Sequence, residues 1–456
     1  MQFSFIENKD FNYFYDVYPS IHELNKVNTN KSVVIENIIE STAFEYIDRI
    51  ISFNLTFEKP RTGLLYGFLK NTEYINNSDY FNRIDLVPKY PDKSFIDLLN
   101  NFHGKIAIYK DAYATSFGEF AIGNTVIRPP DDSGPQWIRM FCNGSVVLEC
   151  DKACVFGHGN MGNFGHFIND YLCPLVLLPN DYLRDCVVVL SHRCGSYARE
   201  FLECLDVRQY FFVGFDEWVF AKRLAVCIEG RPHNMHFGVP VQNLHDKLTN
   251  HFKLFNIVPS QYVILNRAHN TDRSLENFDE LTDMIKLKFP TVKFLFLYDQ
   301  TGSISSYARF FSTIKFLFTT SGSNCHKCIF MRPRTVFVCC SIIMMDFAAW
   351  ETILSCDIAL VVFNHRVVPL TGPFSCDIDI SIRAIKSGIV KLVICYYSIS
   401  LYNFLYHDII LCNSIGWKAV HFLKAYRTTS IIQKPMGFGP NTVKNSYLDR
   451  LEKTYG

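Results

Sequence analysis

The amino-acid sequence predicts an α/β protein built on two Rossmann-like, doubly wound sheets. Three observations carry that prediction. Short runs rich in Val, Ile and Phe, such as CVVVLS at 186–191 and YVIL at 262–265, alternate with helical patterns, as parallel strands covered on both faces do. The alternation occurs twice, with a break near Asn256 to Ser260. A chain of 456 residues also exceeds one ordinary core, so more than one domain is expected.

In chain order, residues 1–103 form an N-terminal region of unclear fold, rich in Asn, Phe, Tyr and Ile, in which 33–54 suggests a helix and then a strand. From Gly104, KIAIYKDAYA and EFAIGNTVI alternate like strands, and 128–135 reads as a loop. The first α/β domain, 104–255, continues with strands at 153–156, 186–191, 210–213 and 218–228 and helices at 195–207 and 239–255. The second, 256–345, has strands at 262–265, 292–297, 314–318 and 335–339, with helical stretches at 278–289, 303–311 and 324–331. Residues 346–456 carry further signals without a clear place.

Composition narrows the classes. The chain is 48% hydrophobic and 20% charged, with a net charge of +1, which suits a folded protein and gives no footprint for nucleic acid or anionic membrane. The sixteen cysteines all follow residue 141. Cys325 and Cys328 form a lone Cys-x-x-Cys without a second pair, and Cys339-Cys340 lies in an apolar run, so buried structural thiols are expected rather than a metal site. No signal peptide or clear membrane span is legible. The segment 389–412 is interrupted by polar residues and reads as buried. Asn30, Asn54, Asn76 and Asn143 stand in glycosylation sequons, which permit a secretory location without requiring it.

Three stretches carry chemistry. In GHGNMGNFGHFINDYL, the glycines Gly157, Gly159, Gly162 and Gly165 form a turn that permits close ligand approach. The helix it feeds sets His166 and Asp170 at i and i+4 on one face. The bland alternative is a helix start with a satisfied histidine. Pro174 should kink that helix or end its first half. In NRAHNTDRSLENFDE, Arg267 and Arg273 follow a strand and suit bidentate phosphate contacts, unless they are solvated loop residues. In TTSGSN, Ser321, Gly322, Ser323 and Asn324 lie between a strand and a helix, where small polar residues make either an anion site or an ordinary cap.

GNFGHFINDYL, YVILNRAHNTDRSLENFDEL and TTSGSNCHKCIFMRPRTVFV, in that order, resemble the family 61 glycosyltransferases, which include endomembrane O-linked N-acetylglucosaminyltransferases and plant xylan-modifying transferases. The resemblance spans roughly 104–340. It implies a GT-B architecture, with the two Rossmann-like domains facing a cleft. It also implies inverting, metal-independent transfer of a sugar from a nucleotide sugar, a UDP-sugar foremost, to a glycan or protein hydroxyl. Carried over by position, Arg267 and Arg273 hold the diphosphate and Ser321 to Asn324 supply the phosphate turn. The inverting chemistry then needs a base for the acceptor hydroxyl, a role that Asp170 or His166 can fill with the other orienting it. No cofactor beyond the co-substrate is implied, and the location becomes the endoplasmic reticulum or Golgi, with the cytoplasm as alternative. The family's His-Gly-Ala-Gly is Ser321-Gly322-Ser323-Asn324 here, so a non-catalytic, sugar-nucleotide-binding relative stays open.

An Asp-x-Asp at Asp377 and Asp379 alternates with isoleucines and reads as an exposed strand face rather than a metal site. A second enzyme class competes for the first stretch. Gly157-x-Gly159-x-x-Gly162 between a strand and a helix fits a dinucleotide turn, and Arg193 after the next strand could accept a 2′-phosphate, as in an NADP-dependent oxidoreductase.

Overall fold

The computed structural model describes residues 21–58, 65–69, 99–115, 117–129, 143–157, 161–195, 197–229, 238–299, 302–341, 347–364 and 372–397. All of them fall in one compact unit, Met1–Ile399. The strands are β1 (His22–Glu23), β2 (Ser32–Val33), β3 (Asn37–Glu40), β4 (Ile47–Thr56), β5 (Leu65–Leu69), β6 (Asn101–Ala114), β7 (Phe120–Ile122), β8 (Thr125–Arg128) and β9 (Gly144–Cys154). They continue as β10 (Val187–Ser191), β11 (Gln209–Val213), β12 (Glu217–Glu229), β13 (Gln261–Asn266), β14 (Phe294–Tyr298), β15 (Ile314–Thr320), β16 (Val336–Ser341) and β17 (Ala359–Asn364).

The first sheet has 11 strands in the order β1-β11-β10-β9-β12-β6-β7-β8-β3, with β2 on β9 and β4 on β6. Strands β11, β10, β9 and β12 are mutually parallel. Counted from β9 they run third, second, first, fourth, so the chain reverses direction across the sheet between β9 and β12. The other half corrects the doubly wound expectation, because β12 pairs antiparallel with β6, β6 with β4 and β7, and β7 with β8. The cause is local. Only Gly123 (φ +60°) and Asn124 separate β7 from β8, and a two-residue turn makes a hairpin, never a parallel crossover. The helix expected within 33–54 is replaced by β2, β3 and a 3₁₀ turn Phe44–Tyr46, while the strand after it is β4.

The second sheet is parallel throughout, in the order β14-β13-β15-β16-β17-β5. From β13 this reads second, first, third, fourth, fifth, one of the common doubly wound orders, with its switch point between β13 and β15. The strands β13 to β16 and the helices Phe278–Lys288 and Ile304–Ser312 stand where the residue pattern puts them. The sheet also draws in β5 and β17, from regions the sequence left unplaced. Residues 378–397 are helical rather than strand-like. Asp377 accepts from the Ile380 N–H at 3.0 Å and caps helix Ile378–Tyr397, the usual use of an aspartate before a helix.

Both sheets share one hydrophobic core, in which Phe167, Tyr171, Phe201, Phe330 and Phe337 are buried together. The Phe201 and Phe330 rings, one from each side, stack at 6.1 Å. Cys325, Cys328, Cys339 and Cys340 are buried, as expected of packing thiols. Among the described residues no helix is long and apolar enough to cross a membrane. The segment 398–412 lies outside the described residues, while Ile389 and Leu392 are buried.

Candidate active site

Asn266, the last residue of β13, is fully buried and ties the arginine loop shut. Its Oδ1 accepts from the N–H groups of Arg267 and Leu275, each at 2.8 Å, and its Nδ2 donates to the Leu275 carbonyl at 2.9 Å. The closure turns Arg267 and Arg273 toward each other. Arg273 has a left-handed backbone (φ 63°), a conformation that costs a non-glycine residue. It is held by a clamp from far along the chain. The Arg273 N–H donates to the Gly372 carbonyl at 2.7 Å, and the Gly372 N–H donates to Asp272 Oδ1 at 2.7 Å.

The two guanidinium groups converge on the turn after β15. Gly322 has φ 122° and ψ −159°, a region open essentially only to glycine. A Cβ there would stand 2.5 Å from Arg267 Nη1 and 2.8 Å from Arg273 Cζ. Arg267 Nη1 donates to the Ser321 carbonyl at 3.4 Å. Burial first, then the charge of Arg273, lowers the Arg267 pKa. Two half-buried like charges over a bare backbone form a site that favours an anion. Neither arginine has a carboxylate partner among the described residues. The nearby Lys327 does, because its ammonium sits 2.6 and 2.8 Å from the Asp299 carboxylate oxygens. Further polar atoms near the β15 end lack partners: Arg273 Nε, Thr319 Oγ1, Thr320 Oγ1 and Asn324 Nδ2 are buried without hydrogen bonds. The Ser321 side chain is buried, and its N–H donates to the Cys340 carbonyl at 2.9 Å, so the residue anchors the turn against which Arg267 packs. Gly322 is buried as well, against the two arginines, while Ser323 is partly exposed and opens the 3₁₀ helix Ser323–Phe330.

The histidine–aspartate pair forms as the spacing predicts. His166 Nδ1 and Asp170 Oδ2 are 2.7 Å apart, with the Asp170 side chain 8% exposed and that of His166 30%. The helix carrying them changes register along its length: α at Phe164–His166, π at Phe167–Leu172 and α again at Cys173–Leu175. Pro174 supplies the reason. It has no N–H for the Asp170 carbonyl four residues back, and the Cys173 N–H instead reaches the Ile168 carbonyl five residues back. Such π turns recur at functional sites. Of the glycine turn, Gly157, Gly162 and Gly165 are described and Gly159 lies outside the described residues. A Cβ at Gly162 would meet the Arg193 carbonyl at 2.9 Å, and the Arg193 guanidinium lies over the Phe117 ring at 5.6 Å.

The two halves of the site touch directly. Asn163 caps the His166 helix by accepting from the Gly165 N–H at 2.9 Å, and the same Oδ1 accepts from Ser323 Oγ at 2.7 Å. Sequence reasoning passed over Asn163, although an asparagine just before an apolar helix is a cap signal. It also passed over His326, hidden inside Cys325-His-Lys-Cys328. His326 is buried with its ring against Gly165, and its pKa is lowered from 6.5 to about 4 by burial and then by His166. The unfolded chain takes up a proton between those values and the native chain does not. Stability should therefore be whole above pH 6.5 and fall toward pH 4, by about 3 kcal/mol at most. Urea unfolding across that range checks it: His326→Asn should flatten this component, and an equal slope in the variant would refute a neutral His326.

The site thus occupies the carboxyl ends of β9, β13 and β15, at the switch points of both sheets, where α/β proteins bind ligands. The sequence model of the family described as Glycosyltransferase 61 matches residues 164–338, which include the His166 helix, the arginine loop and the Gly322 turn. Over these residues the chain is similar to that family. No curated protein matches the chain.

Proposed function

We propose that the chain is a glycosyltransferase that moves a sugar from a nucleotide sugar, a UDP-sugar foremost, to a hydroxyl of a glycan or protein. The observation that carries this reading is the convergence of Arg267 and Arg273 on the side-chain-free face of Gly322, within reach of a turn that also holds the His166 helix. In this reading residues 256–345 hold the donor and 104–255 the acceptor, in a GT-B arrangement. The arginines neutralise the charge that develops on the leaving nucleoside diphosphate. Asp170 holds the Nδ1 side of the His166 imidazole, which leaves Nε2 to take the acceptor hydroxyl proton as the sugar–phosphate bond breaks. Attack on the face opposite the leaving group inverts the anomeric centre, and this division of labour asks for no metal. The described sequon residues Asn30, Asn54 and Asn143 are exposed, as secretory glycosylation would require, and Asn76 lies outside the described residues.

Calorimetric titration of the full chain with UDP and with NADP tests the reading. UDP should bind and NADP should not. NADP binding alone would favour the oxidoreductase built on the Gly157 turn, and UDP binding without turnover of any nucleotide sugar would leave a binding protein.

A further inference from the structure

His326 stands between the two halves of the site. A methyl group on Gly165 would lie 2.6 Å from its Cδ2 and 2.8 Å from its Nε2, so the ring occupies space that only a glycine leaves. On its other edge, Nδ1 hydrogen-bonds Thr352 Oγ1 at 3.3 Å. Thr352, on helix Phe347–Ser355, in turn hydrogen-bonds Asn169 at 3.0 Å. Asn169 is the residue before Asp170 in the π turn. A continuous chain of contacts therefore runs from the donor turn through His326 and Thr352 to the backbone that carries the histidine–aspartate pair.

We propose that His326 is a positioning residue for sugar transfer, setting the His166–Asp170 pair against the donor turn through Gly165 and Thr352, an inference that rests on the transferase reading. The His326 ring packs on Gly165 and Thr352 and not on the guanidinium groups that would hold the diphosphate, so its loss should leave donor binding intact. Its effect falls on geometry, where a misplacement of about 1 Å costs on the order of 10²-fold in rate.

The test compares wild type with Thr352→Val, which removes the hydroxyl and keeps the shape, and with His326→Asn. Turnover is followed by release of nucleoside diphosphate from a panel of nucleotide sugars, and binding by calorimetry with UDP. Both variants should lose about 10- to 100-fold in kcat, with donor KM and UDP affinity within about twofold of wild type. Variants that fold and turn over at the wild-type kcat would overturn the inference. So would a kcat loss matched by an equal loss of UDP affinity, the mark of a merely structural role. A wild type that binds UDP and turns over no nucleotide sugar would overturn the transferase reading and this inference together, whereas wild-type turnover with an unaffected Thr352→Val sinks this inference alone.

Discussion

Asp170→Asn should lower sugar transfer by about 10²–10⁴-fold while leaving the fold and donor affinity in place. The carboxylate is 2.7 Å from His166 Nδ1 and nearly buried, so the amide keeps the shape but loses the charge that supports an imidazolium as the acceptor proton arrives. His166→Ala should fall in the same range, and the double variant little further, because residues acting as a unit are strongly non-additive. Steady-state kinetics with UDP affinity as control separates this from a capping role. Loss of a cap would cost about 1 kcal/mol of stability and spare turnover. Wild-type rates in both single variants would move the base elsewhere.

Arg273→Ala should weaken UDP binding by about 1.5–3 kcal/mol, the worth of a charge-assisted contact, or about 10- to 150-fold in Kd. Arg273 carries the larger expectation of the two arginines for a structural reason. Its strained backbone is maintained by the Gly372 clamp, and its Nε is buried without a partner. Strain and an unpaired buried donor are both costs that an anionic ligand would offset. Arg267→Ala should weaken binding as well, and should do so less cleanly, since that side chain also holds the Ser321 carbonyl. UDP affinity unchanged in Arg273→Ala would remove this arginine from the site.

The parts of this arrangement that were legible in the sequence are the local ones. Strands β13 to β16 are apolar runs alternating with helices, the pattern of a parallel sheet covered by helices. His166 and Asp170 meet because spacing on a helix decides it, even though Pro174 shifts the register between them. The turn at 321–324 was readable as an anion site or a cap, and the arginines as residues at a strand end. What escaped reading depends on contacts between distant segments. Gly372 lies about a hundred residues from the arginine it holds, and the strands β5 and β17 join the second sheet from regions whose own patterns are weak. The Asn163–Ser323 and Gly165–His326 contacts cross 160 residues or more. The burial of Ser321 was illegible for a related reason: a small polar residue in a turn suits either surface or interior, and its place beside Cys340 of β16 is set by the distant strand. The antiparallel half of the first sheet was hidden because the strand-like pieces at 105–114 and 119–127, which become β6 and the β7–β8 hairpin, carry no local sign of their partners, so the pairing of β6 with β12 could not be inferred.

A site that transfers sugar from a nucleotide must break a sugar–phosphate bond. The most direct measurement is nucleoside diphosphate release from a panel of UDP-, GDP- and CMP-linked sugars by the full chain, run beside Asp170→Asn and Arg273→Ala. Release from at least one donor, lost in Asp170→Asn with UDP affinity intact and lowered in Arg273→Ala together with UDP affinity, is the predicted result. No release from any donor, or release that both variants retain unchanged, would contradict it.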